Sequence, residues 1–137
     1  MRTALDSNIL SLLWSGHPDA GRMNTQLEEV RSQGGLVVSG PVFAELSAHP
    51  KISVQFVESF LSDMTIAVDF DLGEDIWRLA AERYAAYAVR RRQSGGGPPK
   101  RLLMDFVVGS HAKLKADRLM TRDAKRYGQN FPDLRLI

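Results

Sequence analysis

Four acids, Asp6, Glu45, Asp105 and Asp123, have the residue type and placement to do chemistry together. Asp6 follows the short apolar run Thr3 to Leu5, and Asp123 follows Leu119 to Thr121. Glu45 lies a short segment beyond a third run, Leu36 to Ser39, and Asp105 opens the helical segment that precedes the last run. In open α/β sheets, ligands bind beyond the carboxyl ends of the strands, so all four acids could converge at one sheet edge. Clustered carboxylates repel one another and resist joint ionisation unless a cation offsets them. Hard oxygen ligands suit Mg²⁺ or Mn²⁺ and not zinc. Such ions lower the pKa of a bound water and clamp a phosphate during in-line displacement. With basic residues around the acids, the substrate of such a site would be a phosphodiester.

Each position also has a plain structural use. Asp6, Ser7 and Asn8 are all good helix N-caps. Asp123 could cap the short helix after it, Asp105 could serve only the helix dipole, and Glu45 could be a surface residue. The argument for function rests on their joint placement.

The elements that must position them alternate between strand and helix. Thr3 to Leu5 reads as a strand, and Ile9, Leu10, Leu12 and Leu13 then recur at helical spacing. A turn at Ser15 to Asp19 leads to a helix over 20–33, with Met23, Leu27 and Val30 on one face and Gly34-Gly35 ending it. Leu36 to Ser39 is the second strand. Pro41 suits the first turn of the short helix that carries Glu45. A helix over 52–62 and a strand from Thr65 to Val68 follow. The long helix over 73–92 turns Ile76, Leu79, Ala80, Tyr84, Tyr87 and Ala88 inward. Trp14 and Trp77 also fall at helical core positions and read as packing.

Ser94 to Pro99 is a glycine- and proline-rich loop. Leu102 to Leu114 returns to helix, with Asp105 in its first turn. Gly109 there points to close helix packing, because glycine inside a helix otherwise costs about 1 kcal/mol against alanine. His111 lies six positions after Asp105 and points away from it, so it is not read as a ligand or base. Leu119 to Thr121, a short helix over 124–128 and a last strand from Leu134 to Ile137 close the chain. The pattern is an α/β fold: one domain over 1–137, with a central, mainly parallel sheet of four to five strands flanked by helices.

Composition narrows the class. The 137 residues suit one compact core. The chain has no cysteine, which excludes disulfides and thiolate metal sites. There is no signal-like leader and no apolar run near the roughly 20 residues that span a bilayer. A soluble, cytoplasmic protein is expected. The net charge of +2 is modest, but its distribution is not even. Arg90, Arg91, Arg92, Lys100 and Arg101 fall within twelve positions, and further basic residues follow, whereas the chain before residue 78 has few. A basic half around acidic positions is one way to hold a polyanion beside a cation. The plainer reading of such a run is a solvated helix end, where arginine also suits the dipole.

Four stretches together resemble the PIN-domain proteins, and more narrowly the VapC-like toxin ribonucleases. They are Leu5-Asp6-Ser7-Asn8-Ile9-Leu10, Val42-Phe43-Ala44-Glu45-Leu46, Met104 to Ala112, and Leu119-Met120-Thr121-Arg122-Asp123-Ala124-Lys125-Arg126-Tyr127. Asn130-Phe131-Pro132-Asp133-Leu134 is also typical of the family's end. The resemblance implies a metal-dependent endoribonuclease, the toxin of a type II toxin–antitoxin pair, in which a metal-bound water attacks RNA. It implies that Asp6, Glu45, Asp105 and Asp123 hold Mg²⁺ or Mn²⁺. Thr121 would orient Asp123 or a bound water, and Ser7 and Asn8 would support Asp6. A cognate antitoxin and a homodimer are the implied partners. Arg90, Arg92, Lys100 and Arg101 are candidate contacts to RNA phosphates or to an acidic partner. Two alternatives stay open: a non-catalytic nucleic-acid-binding module of the same fold, and a DNA-directed nuclease of the same chemistry.

Overall fold

The computed structural model describes residues 1–98 and 103–137. Its centre is a parallel sheet of four strands: β1 (Thr3–Leu5), β2 (Leu36–Ser39), β3 (Ile66–Asp69) and β4 (Arg118–Met120), in the order β3-β2-β1-β4. Ala4 of β1 lies opposite Val37 on one side and Leu119 on the other. Every residue of β1, β2 and β4 is buried. That explains their short continuous apolar runs, since a parallel sheet covered on both faces has no wet side to encode. The covering helices are α1 (Ser7–Trp14), α2 (Ala20–Ser32), α3 (Gly40–Ser47), α4 (Val54–Asp63), α5 (Glu74–Gln93), α6 (Leu103–Lys115) and α7 (Ala124–Asn130).

The strand order decides where a site can form. The chain steps outward from β1 to β2 to β3, then crosses back to place β4 on the other side of β1. The topological switch point therefore lies between β1 and β4, and the crevice beyond their carboxyl ends is the natural ligand position. Asp6 and Thr121 are the first residues past those two ends.

Three expectations need correction. The third strand starts at Ile66, not Thr65. Thr65 has φ 56°, a left-handed turn conformation that closes the exit from α4 and cannot join a ladder. The last stretch forms only a bridge between Leu119 and Leu136 rather than a fifth strand. Leu134 is held in a turn against Phe131, its N–H donating to the Phe131 carbonyl at 3.0 Å, so few residues are left to run beside β4. Trp77 is 41% exposed. The inward stripe of α5 uses Ile76, Ala80, Tyr84 and Tyr87, and Trp77 sits one position around the helix from it.

α5 and α6 pack along one another. Gly109 lets the buried ring of Phe131 approach α6 closely: a Cβ at this position would stand 2.7 Å from its Cζ. Arg83 of α5 fastens the C-terminal turn. Its guanidinium donates to both Asp133 carboxylate oxygens at 2.8 and 2.9 Å and to the Asn130 carbonyl at 3.1 Å.

Candidate active site

The site begins with one backbone bond. The Asp6 N–H donates to the Met120 carbonyl at 3.0 Å, which joins the ends of β1 and β4 at the switch point. Both oxygens of the Asp6 carboxylate accept a hydrogen bond. Oδ1 accepts the Ser7 N–H at 2.8 Å and so caps α1, while Oδ2 accepts the Thr121 hydroxyl at 2.8 Å. The Tyr127 side chain, on α7, also acts to lower the pKa of the same carboxylate. Asp6 is thus a cap and a cluster member at once.

Asn8 braces the opposite wall. Its Oδ1 accepts the Arg122 N–H at 3.2 Å, and its Nδ2 donates weakly to the Thr121 hydroxyl oxygen at 3.4 Å. Thr121 also accepts the Asp123 N–H at 3.0 Å. Glu45 comes from α3, whose first turn contains Pro41. The Ser7 hydroxyl donates to Glu45 Oε2 at 2.6 Å, so one α1 residue ties the first acid's helix to the second acid. Asp105 enters from the first turn of α6.

The electrostatics identify which acids share the crevice. Burial pushes the Asp6 carboxyl above its ordinary range. The Thr121 and Ser7 hydrogen bonds oppose that rise, and the negative charge of Asp105 adds to it. Burial likewise raises Glu45, the Ser7 hydroxyl opposes it, and the charges of Asp6 and Asp105 raise it further. Asp6 and Glu45 are therefore incompletely solvated carboxylates that feel the negative charge of Asp105. Among the described residues, no three His, Asp or Glu side chains stand ready-made around one cation position. The trio is an open set of carboxylates at a crevice.

Asp123 pairs through its carboxylate with Arg126 Nε at 2.9 Å. It precedes α7 without a side-chain capping bond. Its backbone N–H touches the cluster through Thr121.

The basic segment divides. Arg90 Nη2 donates to Asn130 Oδ1 at 2.6 Å, and Arg91 Nε donates to the Pro98 carbonyl at 2.5 Å. Both line a groove of about 500 Å³ with Tyr87 and Asn130. Arg92 is solvent-exposed. Lys100 and Arg101 lie outside the described residues. His111 is buried away from the acids, with Nε2 3.0 Å from Asp69 Oδ2. Burial alone would raise Asp69, but the bonds from His111 and the Asp71 N–H outweigh it and hold the carboxyl below its usual range.

Sequence reasoning missed Tyr127. Its one available signal was an aromatic with a polar tip on the short helix directly after Asp123.

The model of one protein family, the PIN domain, matches residues 3–129. Among solved structures, the chain is similar to VapBC2 from Rickettsia felis bound to a DNA fragment from their promoter. That match has 24% identity and a TM-score of 0.68, covering 100% of this chain and 98% of the other. It is also similar to VapBC-1 from nontypeable Haemophilus influenzae, at 24% identity and a TM-score of 0.67, covering 100% and 97%. A toxin–antitoxin complex from Klebsiella pneumoniae matches at 19% identity with a TM-score of 0.65, covering 98% and 95%. No curated protein sequence matches.

Proposed function

The chain belongs to the PIN-domain family, and from that premise we propose that it is a Mg²⁺- or Mn²⁺-dependent endoribonuclease acting as the toxin of a toxin–antitoxin pair. The observation that carries the reading is the trio Asp6, Glu45 and Asp105 at the switch point of the sheet, where the charge of Asp105 raises the Asp6 carboxyl and the charges of Asp6 and Asp105 raise Glu45. Such an arrangement disfavours itself unless a cation is held there. The donors are all carboxylate oxygens, the chemistry that Mg²⁺ and Mn²⁺ accept.

Asp6, Glu45 and Asp105 would hold the ion, and Asp123 would join by exchanging Arg126 for it. The bound cation would supply Lewis-acid polarisation of a phosphodiester and a lowered pKa for water. The chain's own residues do the positioning. Thr121 and the Ser7 N–H fix both oxygens of Asp6, the Ser7 hydroxyl fixes Glu45, and Asn8 holds the Thr121–Arg122 turn against α1. Tyr127 braces Asp6 from α7. Arg90 and Arg92, with Lys100 and Arg101 beyond the described segment, would contact RNA phosphates.

The antitoxin partner in this reading is supported by the likeness to VapBC and other toxin–antitoxin complexes. No described helix is long and apolar enough to cross a membrane, which agrees with a cytoplasmic setting. A homodimer is part of the same proposal.

Cleavage of single-stranded RNA, run beside single-stranded DNA of the same sequence, tests it. Mn²⁺-dependent RNA cleavage is expected, with loss of at least about a hundredfold in Asp6→Asn while its far-UV circular dichroism stays native. Equal cleavage by Asp6→Asn removes the site assignment. Preferred cleavage of DNA replaces the substrate class.

A further inference from the structure

A cavity of about 520 Å³ lies between β4 and α2. Its walls include Ile9, Met23, Val30, Met120 and Ile137, and Arg118 contributes to its lining. Arg118 is only 4% exposed. Its Nε donates to the Thr3 hydroxyl at 2.8 Å and its Nη2 donates to Gln33 Oε1 at 2.5 Å. Both acceptors are neutral. Among the described residues no carboxylate lies within ion-pair distance of the guanidinium, and two of its five N–H groups account for both bonds.

A buried arginine without a counter-ion is unusual. Charged groups that leave water are paired or pay a large desolvation cost. Here the uncompensated charge lines a cavity of the size that takes small molecules, whose walls mix apolar side chains with Gln26, Gln33 and Thr121. Glu29 contributes to the lining from an exposed position on α2, and Arg122 contributes from an exposed position after β4. The planar guanidinium fork matches a carboxylate in a bidentate pair.

We propose that this cavity binds a small carboxylate with a short aliphatic body, its head on Arg118 and its tail against Met23, Val30 and Met120. The site is separate from the acid trio and does not depend on the nuclease reading. It adjoins it through Met120, Thr121 and Arg122, which line the cavity; Thr121 also donates to Asp6, and the Met120 carbonyl accepts the Asp6 N–H. Occupancy would therefore be felt at the active-site edge.

Titration of the ¹⁵N- and methionine-methyl-labelled full chain with hexanoate tests this, with hexanamide as the uncharged control. Hexanoate is expected to shift the Met23 and Met120 methyls and the Thr121 amide in a saturable way, with hexanamide about tenfold weaker. Arg118→Lys, which keeps the charge but not the fork, should weaken hexanoate and keep the fold. Should that variant not fold, Val30→Phe, which narrows the cavity without touching Arg118, should abolish the shifts. Equal binding of hexanamide, no saturable shift, or unchanged hexanoate binding in Val30→Phe overturns the proposal. A Leu-Glu-Leu peptide binding more tightly than hexanoate overturns the small-molecule occupant.

Discussion

Thr121→Val removes one hydroxyl and almost nothing else, and its cost should depend on pH. Thr121 is 7% exposed and Asp6 is 8% exposed, so neither group recovers its bond from bulk water. The hydroxyl donates to Asp6 Oδ2 at 2.8 Å and accepts the Asp123 N–H at 3.0 Å. A hydrogen bond to a charged group contributes about 1.5–3 kcal/mol, and valine keeps the shape. A loss of about 2 kcal/mol at neutral pH follows, which for a chain of this size lowers Tm by roughly 6–8 °C.

The pH dependence has a definite sign. The Asp6 carboxyl of the folded protein already titrates above its ordinary value of 3.8 because of burial, and the Thr121 bond works against that rise. Without the hydroxyl, the folded-state value rises further. The folded variant then holds its proton to higher pH than the wild type does, so its stability falls relative to wild type as pH rises through the wild-type folded-state value, which lies above 3.8, towards the variant's still higher one. Below that range Asp6 is protonated in both folded proteins and only a neutral bond is lost, about 1 kcal/mol. Urea unfolding of both proteins across acid to neutral pH measures the difference. A deficit that is flat with pH, or below about 0.5 kcal/mol at neutrality, would refute the claim that Thr121 supports an ionised Asp6.

Three further outcomes are expected. Gly109→Ala should destabilise by about 1–3 kcal/mol in denaturant unfolding, since its Cβ would stand 2.7 Å from Phe131 Cζ and overpacking exceeds the helix-propensity gain; a stabilised variant would contradict that packing. The Arg83 hydrogen bond lowers the Asp133 carboxyl to about 2, so its contribution is present above the unfolded value of 3.8 and is lost as pH falls from there towards 2. Asp133→Asn should remove that acid-range slope in a melting series, at a neutral-pH cost of about 1 kcal/mol or less because Asp133 is 45% exposed. Tyr127→Phe should reduce RNA cleavage at fixed Mn²⁺ without changing the fold, and the loss should be smaller than for Asp6→Asn; unchanged kcat would mean that Tyr127 only packs.

Much of the architecture could be read from local pattern. Buried parallel strands announce themselves as short apolar runs, and β1 and β2 begin and end where those runs do. Pro41 and Gly109 each carried one physical message that the packing fulfils. What escaped was set by three-dimensional competition. Trp77 is displaced from the core by neighbours one helical step away, and Thr65 is taken by a left-handed turn. At the site, strand ends pointed to Asp6, Glu45 and Asp123, and a helix start to Asp105, but side-chain direction is not written in spacing. Asp123 has the right address and turns instead to Arg126, three residues on. Tyr127 reaches Asp6 from an element whose only sequence signature was its nearness to Asp123. The uncompensated charge of Arg118 was invisible, because its environment is assembled from Thr3, Gln33 and β4, far apart in the chain.

The central claim is that Asp6, Glu45 and Asp105 form one divalent-cation site. Isothermal titration of the full chain with Mn²⁺ at neutral pH tests it directly, comparing wild type with Asp6→Asn, Glu45→Gln and Asp105→Asn. Saturable binding by wild type, weakened about tenfold or more by each single substitution, is the expected result. Absence of saturable binding by the folded wild type, or affinities unchanged in all three variants, would contradict it.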